Sequence, residues 1–188
     1  MDKYLRWYRT GYLSSTGRCF DIGRTTAVAL CTFENTREPF SGPTDSHSSG
    51  NGSLMRLAPV PMFFYPNKEA MISYAAESSR TTHGSQECID ACRLFASILF
   101  NAFSGMDKER ILFEHDERIV KASKIREIAR GAYRGKKEKQ IQGSGYVVKS
   151  LEAALWCFLT TDSFSNAVLK AVNLGDDADT TAAICGQL

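Results

Sequence analysis

The chain has 188 residues, a length that suits one domain. Its hydrophobic fraction of 43% is well above that of disordered chains, and its net charge of +2 gives no reason to expect nucleic acid or an anionic membrane as a partner. No apolar run is long enough to span a bilayer and no signal peptide is evident, so we expect a cytoplasmic protein.

Helical periodicity dominates the sequence. The first predicted helix starts after Asp21 and continues through Ala27 to Phe33, and the second covers Lys68 to Ala76. The third, over residues 86–103, has one apolar face formed by Cys88, Cys92, Phe95, Ala96, Leu99 and Phe103.

Three further helical regions follow. Residues 107–130 predict one or two exposed helices, residues 150–160 an amphipathic helix, and residues 163–172 another one with Asp162 as its N-cap. No convincing strand is present, and no hairpin signal lies between alternating runs. The prediction is an all-α, compact multi-helix domain that covers residues 1–188.

The six cysteines do not predict a disulfide framework, because their spacings do not fit one. Cys88 and Cys92 lie four residues apart on an apolar helix face, where free cysteine behaves as a small hydrophobic residue. No Cys-x-x-Cys pair exists, so zinc is not expected. The basic stretch Arg130–Lys139 lacks interleaved aromatic residues, and we interpret it as a solvated helix end and loop rather than a nucleic-acid site.

Two polar, glycine-rich loops, residues 41–53 and 142–145, are candidate site segments. In the first, glycines free the backbone to approach a ligand, and consecutive N–H groups can hold a phosphate. The alternative is a flexible turn with Ser53 as an N-cap. In the second, Tyr146 follows directly and either stacks on a ring or packs in the core.

His83 precedes the long apolar helix. It is either a structural or solvated histidine, or one that contacts a phosphate or a carboxylate. No Ser/His/Asp arrangement or nucleophile elbow is present, so nucleophilic catalysis is not predicted.

Near the C-terminus, Gly175 to Thr181 reads Gly-Asp-Asp-Ala-Asp-Thr-Thr, just before a helix-forming run. Carboxylate and hydroxyl oxygens are the ligands that Mg²⁺, Mn²⁺ and Ca²⁺ prefer. One capping aspartate is the ordinary start of a helix, but three acids are more than a cap needs. The segment predicts a hard-cation site, with helix capping as the alternative.

These segments together resemble the ADP-ribosylglycohydrolase family, known also through dinitrogenase-reductase-activating glycohydrolase. The matching pieces extend over essentially the whole chain: Ser14–Gly23, Gly50–Arg56, Thr82–His83, Gly145–Val148 and Gly175–Thr180.

The resemblance implies an all-α fold with two Mg²⁺ ions, or Mn²⁺, in a cleft. It implies that Asp177 and Asp179 are catalytic and that they bind metal together with Thr180. Asp176 is not assigned, because many relatives have glycine there. The substrate-binding positions that it implies are Ser48, Ser49, Asn51, Gly52 and Ser53 at the diphosphate and ribose, and His83, Gly145, Tyr146 and Val147 around the rest of the nucleotide.

The resemblance further implies hydrolysis of an N- or O-glycosidic bond, by a water that attacks the anomeric carbon of ADP-ribose. The substrate would be an ADP-ribosylated protein or an ADP-ribose-containing small molecule. A non-catalytic ADP-ribose-binding module and a structural protein on the same fold remain alternatives.

Family members carry an upstream Thr-Asp-Asp segment that this sequence lacks. We therefore expect a domain that is incomplete at both ends. Mg²⁺ binds weakly when part of its oxygen shell is missing. Weak Mg²⁺ binding and poor hydrolysis are expected of the isolated chain unless the missing segment is supplied elsewhere.

Overall fold

The computed structural model describes residues 1–188 and contains ten α-helices and no strand, which confirms the all-α prediction. A single isolated antiparallel bridge joins Gly50 and Tyr146. In chain order the helices are α1 (Asp2–Thr10), α2 (Arg24–Thr36), α3 (Pro59–Phe64), α4 (Lys68–Arg80), α5 (Gln86–Phe103), α6 (Lys108–Phe113), α7 (Ser123–Ala129), α8 (Val147–Leu159), α9 (Phe164–Asn173) and α10 (Ala178–Cys185).

Most predicted helices are present, with differences at their ends. Helix α5 has the predicted bounds, because the Ser85 side chain accepts a hydrogen bond from the Cys88 N–H and caps its first turn. The predicted N-cap of α9 is wrong: Ser163, not Asp162, accepts from the Asn166 N–H. Phe103, which is predicted on the apolar face, lies in the last turn of α5 and is 36% exposed.

Helix α5 is the centre of the core. It packs against α4 on one side and against α8, α7 and α6 on others. Residues 94–99 are all fully buried, and six consecutive residues of a helix point in every direction around its axis. A helix that is apolar around most of its circumference belongs in the interior. The site segments are therefore built on helices that border this core.

The last three helices bring distant segments of the chain together. Helices α8, α9 and α10 pack on each other, so the start of α8 and the start of α10 lie side by side. All six cysteines are free, four of them buried. No helix combines the length and the apolar composition that a membrane span requires.

Candidate functional site

Two loops that are almost a hundred residues apart are joined by backbone hydrogen bonds. The Asn51 N–H donates to the Gly145 carbonyl at 3.1 Å, and the Val147 N–H donates to the Ser49 carbonyl at 3.0 Å. These bonds form the isolated bridge at Gly50 and Tyr146. The glycine-rich loop before α8 is therefore held against the Gly-Asn-Gly loop, and both predicted segments meet.

The acidic turn joins them as a third segment. The Asp177 N–H donates to the Gly143 carbonyl at 2.7 Å, and the Asn51 side-chain amide donates to Asp177 Oδ2 at 2.7 Å. A Cβ at Gly145 would lie only 3.6 Å from the same carboxylate oxygen. Asn51 is thus the residue that touches all three segments, and it is buried.

Asp177 occupies the N-cap position of α10 without acting as a cap. Its side chain makes no capping hydrogen bond and binds Asn51 instead. Asp179 lies exposed in the first turn of α10, where a negative charge interacts favourably with the helix dipole. Asp176 is exposed and has φ of 56°, a left-handed conformation that aspartate tolerates. Capping by side chains therefore does not account for the acidic turn.

The donor atoms of this turn suit a hard divalent cation. Asp177 Oδ1 and both carboxylate oxygens of Asp179 make no hydrogen bond within the chain, and the Thr180 hydroxyl has only a long contact of 3.9 Å to the Met55 sulfur. No three His, Cys, Asp or Glu side chains converge anywhere in the structure. The chain offers two carboxylates and one hydroxyl, so the rest of an octahedral Mg²⁺ shell would consist of water or of other groups.

The hydroxyls of the Gly-Asn-Gly loop have different environments. Ser49 donates to Ser85 at 2.9 Å, and Ser53 bonds to Ser79 at 2.9 Å; both serines are buried. Ser48 is only half-buried and donates to Asp45 at 2.8 Å. The hydroxyls of Ser49 and Ser53 are therefore engaged with interior groups. No helix begins at Ser53, and its interpretation as an N-cap is wrong.

His83 packs directly beneath the loop glycines. A Cβ at Gly52 would lie 2.8 Å from Cε1 of the imidazole, so the loop can approach the ring only because this residue lacks a side chain. The ring is 3% exposed. Burial, with a smaller contribution from the Arg56 charge, lowers the pKa of His83 from 6.5 to about 4. The ring is therefore neutral near pH 7.

Tyr146 is partly buried and packs against the hydrophobic core, as one of the two alternatives predicted, and its hydroxyl belongs to a charged cluster. Its hydroxyl lies 2.8 and 2.7 Å from the two carboxylate oxygens of Glu87, and the Lys124 ammonium donates to it at 2.7 Å. These bonds to Tyr146 and Glu87 raise the pKa of Lys124. Glu87 and Lys124 could not be predicted, because they are distant from the glycine loop in the sequence and belong to no recognisable motif.

A cavity of about 410 Å³ borders the Gly-Asn-Gly loop at Gly52. Its size is within the range of small-molecule sites. Helix α1, which the sequence analysis did not predict, forms one wall with three side chains, Lys3, Tyr4 and Trp7. The cavity is also lined by Tyr12, Asp21, Thr26, Met55, Arg56 and Thr82.

Comparison with known proteins agrees with these motifs. The ADP-ribosylglycohydrolase family profile matches residues 1–188. The chain therefore belongs to the ADP-ribosylglycohydrolase family.

Particular relatives can be named. An ADP-ribosylarginine hydrolase of Pseudomonas putida is 41% identical over 184 residues, which are 98% of this chain and 49% of that protein. An ADP-ribosylarginine hydrolase of Serratia proteamaculans is 37% identical over 187 residues, 100% of this chain and 50% of that protein. An ADP-ribosyl-(dinitrogen reductase) glycohydrolase of Rhodospirillum rubrum is 26% identical over 148 residues, 79% of this chain and 47% of that protein.

A solved structure described as an ADP-ribosylglycohydrolase-related protein complex matches with a TM-score of 0.83 and 35% identity, covering 100% of this chain and 60% of the matched one. The chain spans about half the length of the curated relatives it matches.

Proposed function

We propose that this protein hydrolyses the N-glycosidic bond between ADP-ribose and an arginine side chain of a modified protein, with Mg²⁺ as cofactor. Two relatives of 41% and 37% identity carry the name ADP-ribosylarginine hydrolase, which supports the choice of linkage. The observation that carries the proposal is the hydrogen bond from Asn51 to Asp177, because it joins the Gly-Asn-Gly loop to the acidic turn.

Asn51 fixes the orientation of a carboxylate. By donating to Oδ2, its amide leaves Oδ1 of Asp177 available. Together with Asp179 and Thr180 this oxygen would hold Mg²⁺. When bound, the ion would orient ribose hydroxyls and lower the pKa of a water molecule. Because the chain offers only two carboxylates, Mg²⁺ binding is expected to be weak and assays need millimolar metal.

The same carboxylates act on the substrate through charge. Cleavage of a glycosidic bond passes through an oxocarbenium-like transition state, with positive charge on the sugar. Asp177 is bonded to the Gly-Asn-Gly loop and Asp179 follows it by two residues, so these carboxylates would stabilise the positive charge of the sugar electrostatically. Backbone groups of residues 50–52 and the ring of His83 form the surface on which the diphosphate would lie, and the cavity at Gly52 has room for part of the nucleotide.

The test is release of ADP-ribose from an arginine-modified protein. Asp177→Asn and Asp179→Asn should each lower the rate by at least about 100-fold, a typical effect of removing one catalytic carboxylate. Asp176→Asn is the matched control, because it removes an exposed charge from the same turn at a left-handed residue that asparagine also tolerates. A wild-type chain that releases no ADP-ribose and binds none at millimolar Mg²⁺ would refute the proposal.

A second candidate is a non-catalytic ADP-ribose-binding protein. The observation that favours it is that no three His, Cys, Asp or Glu side chains come together in a group that could hold a metal ion. A binder should retain its affinity for ADP-ribose in the Asp177→Asn and Asp179→Asn variants and show no turnover. A structural protein on this fold should bind neither ADP-ribose nor Mg²⁺. The six free cysteines support a reducing, cytoplasmic location for either function.

A further inference from the structure

We infer that Arg56 and Thr82 are positioning residues that hold His83 as its Nε2–H tautomer and direct this N–H toward the Gly50–Gly52 loop, where it donates to an oxygen of the bound nucleotide. The tautomer follows from hydrogen-bond geometry alone. The ligand of the N–H rests on the proposed function.

A continuous chain of hydrogen bonds leads to the imidazole. The Arg56 guanidinium donates from Nη2 to the Thr82 hydroxyl at 2.8 Å, and this hydroxyl lies 2.8 Å from Nδ1 of His83. Arg56 is itself fixed on its other side, because Nη1 donates to the Tyr4 hydroxyl at 2.7 Å and the guanidinium lies over the Tyr4 ring. We call this hydrogen-bonded chain, Tyr4–Arg56–Thr82–His83, the relay. It begins at helix α1 and ends at the ring beneath the loop.

The number of protons on each group decides which one donates and which one accepts in each hydrogen bond of the relay. A guanidinium has donors only, so the Thr82 oxygen must accept from Arg56. The remaining hydroxyl proton of Thr82 has one neighbouring acceptor, Nδ1 of His83, since Thr82 is 1% exposed and makes no other side-chain hydrogen bond. If Nδ1 carried the proton instead, the buried Thr82 hydroxyl would have nothing to donate to, which costs about 1–3 kcal/mol. Nδ1 is therefore the acceptor, and Nε2 carries the hydrogen.

The protonated nitrogen is the one next to the loop. A Cβ at Gly52 would lie 3.1 Å from Nε2, and one at Gly50 would lie 3.4 Å from it. Nε2 makes no hydrogen bond within the chain, although it is the only donor of the neutral ring. A donor without a partner beside two glycines suits an anionic or carbonyl oxygen, such as a phosphate oxygen of a nucleoside diphosphate.

The first experiment needs no variant. Two-bond ¹H–¹⁵N spectra of the 188-residue chain at pH 7 distinguish the protonated from the unprotonated nitrogen of each histidine. We expect His83 to show an unprotonated Nδ1 and a protonated Nε2. A protonated Nδ1 in the wild-type chain would overturn the inference whatever the outcome of any activity assay.

The second experiment compares Thr82→Val with Thr82→Ser. Valine has nearly the shape of threonine but cannot pass on the hydrogen bond, whereas serine retains the hydroxyl. We expect Thr82→Val to weaken the tautomer preference and to lower ADP-ribose affinity about tenfold, the effect of losing one charge-assisted hydrogen bond. Thr82→Ser should behave as the wild type in both measurements, which a purely space-filling role of the threonine methyl would not produce.

The outcomes separate the two claims. If Thr82→Val binds ADP-ribose as tightly as the wild type, the role of Thr82 in positioning His83 for the nucleotide is refuted. If the wild type binds no ADP-ribose, the proposed function and the ligand assigned to Nε2 both fail, whereas the relay is judged by the wild-type spectrum alone. A Thr82→Val chain that does not fold leaves that spectrum and the Thr82→Ser affinity to decide, and loss of affinity in Thr82→Ser would overturn the inference.

Discussion

The Gly-Asn-Gly loop and the acidic turn are both short, polar and rich in small residues, yet they differ in what their side chains do. In the loop, Ser49 and Ser53 are buried and bonded to serines of neighbouring helices. In the turn, Asp179 is exposed and has no partner. The loop therefore contributes a fixed backbone shape, and the turn contributes free charge. Their one side-chain link is the bond from Asn51 to Asp177.

The largest effect on stability is expected where this link is replaced by repulsion. Asn51→Asp puts a second carboxylate 2.7 Å from Asp177 Oδ2 at a buried position, and we expect a loss of about 2–4 kcal/mol in the free energy of unfolding at pH 7. The loss should shrink on acidification, because one carboxyl then binds a proton and donates to the other. Denaturant unfolding at pH 7 and pH 5 measures both effects.

Asn67→Asp is the matched control. Asn67 is exposed and caps α4 by accepting from the Ala70 N–H at 3.0 Å, and aspartate caps a helix as well as asparagine does. Its free energy of unfolding should stay within about 0.5 kcal/mol of the wild type. Equal effects of the two substitutions would mean that the Asn51 bond does not join the two segments.

The loop, but not the turn, depends on a buried neutral imidazole. The folded pKa of His83 is about 4 and its unperturbed value is 6.5, so the unfolded chain binds the proton more readily. The stability that the neutral His83 ring contributes is fully present above pH 6.5. As the pH falls toward 4, the free energy of unfolding decreases by up to about 3 kcal/mol. Burial lowers the pKa of His115 as well, which adds to the loss with the same sign.

Unfolding free energies measured at pH 7 and pH 4.5 test this dependence. His83→Asn should reduce the loss of stability on acidification, whereas His47→Asn, at an exposed position, should follow the wild type. A direct NMR titration of the His83 ring that gives a pKa of 6 or above would contradict the prediction.

The sequence was sufficient for the helices whose pattern is strong. Residues 86–103 have a capping serine and a continuous apolar face, and the helix has the predicted bounds. Helices α1 and α3 were missed, because α1 buries no residue completely and α3 is a six-residue segment with two prolines. Neither segment shows the long apolar periodicity on which sequence reasoning depends.

For the site, sequence reasoning found the segments but not their partners. The acidic turn and the glycine loops were identified from residue type and spacing. Glu87 and Lys124, which bind Tyr146, and Thr82, which binds His83, act through tertiary contacts that no local pattern reports. The roles of Ser49 and Ser53 could not be predicted either, because the sequence alone does not reveal whether a serine side chain points to a ligand or to the interior.

A smaller effect should distinguish the buried from the accessible hydroxyls of the loop. Ser53→Ala removes a group that bonds Ser79 and also lies 3.6 Å from the Cys92 thiol, and it should cost about 1–2 kcal/mol. Ser48→Ala removes a half-buried hydroxyl and should cost less than about 0.5 kcal/mol. Thermal unfolding of the two variants side by side measures the difference, and a reversed order would mean that the loop is not fixed by its interior bonds.

The smallest effect is expected at the edge of the site, where Tyr146 follows the second glycine loop. Tyr146→Phe removes the bonds to Glu87 and Lys124 but leaves the ring, and it should cost about 0.5–1 kcal/mol because the cluster is partly solvated. Tyr74→Phe is the control, since Tyr74 is 50% exposed and its hydroxyl makes no hydrogen bond, so its stability should not change. If Tyr146→Phe is as neutral as the control, Glu87 and Lys124 do not hold the loop beside Asp177.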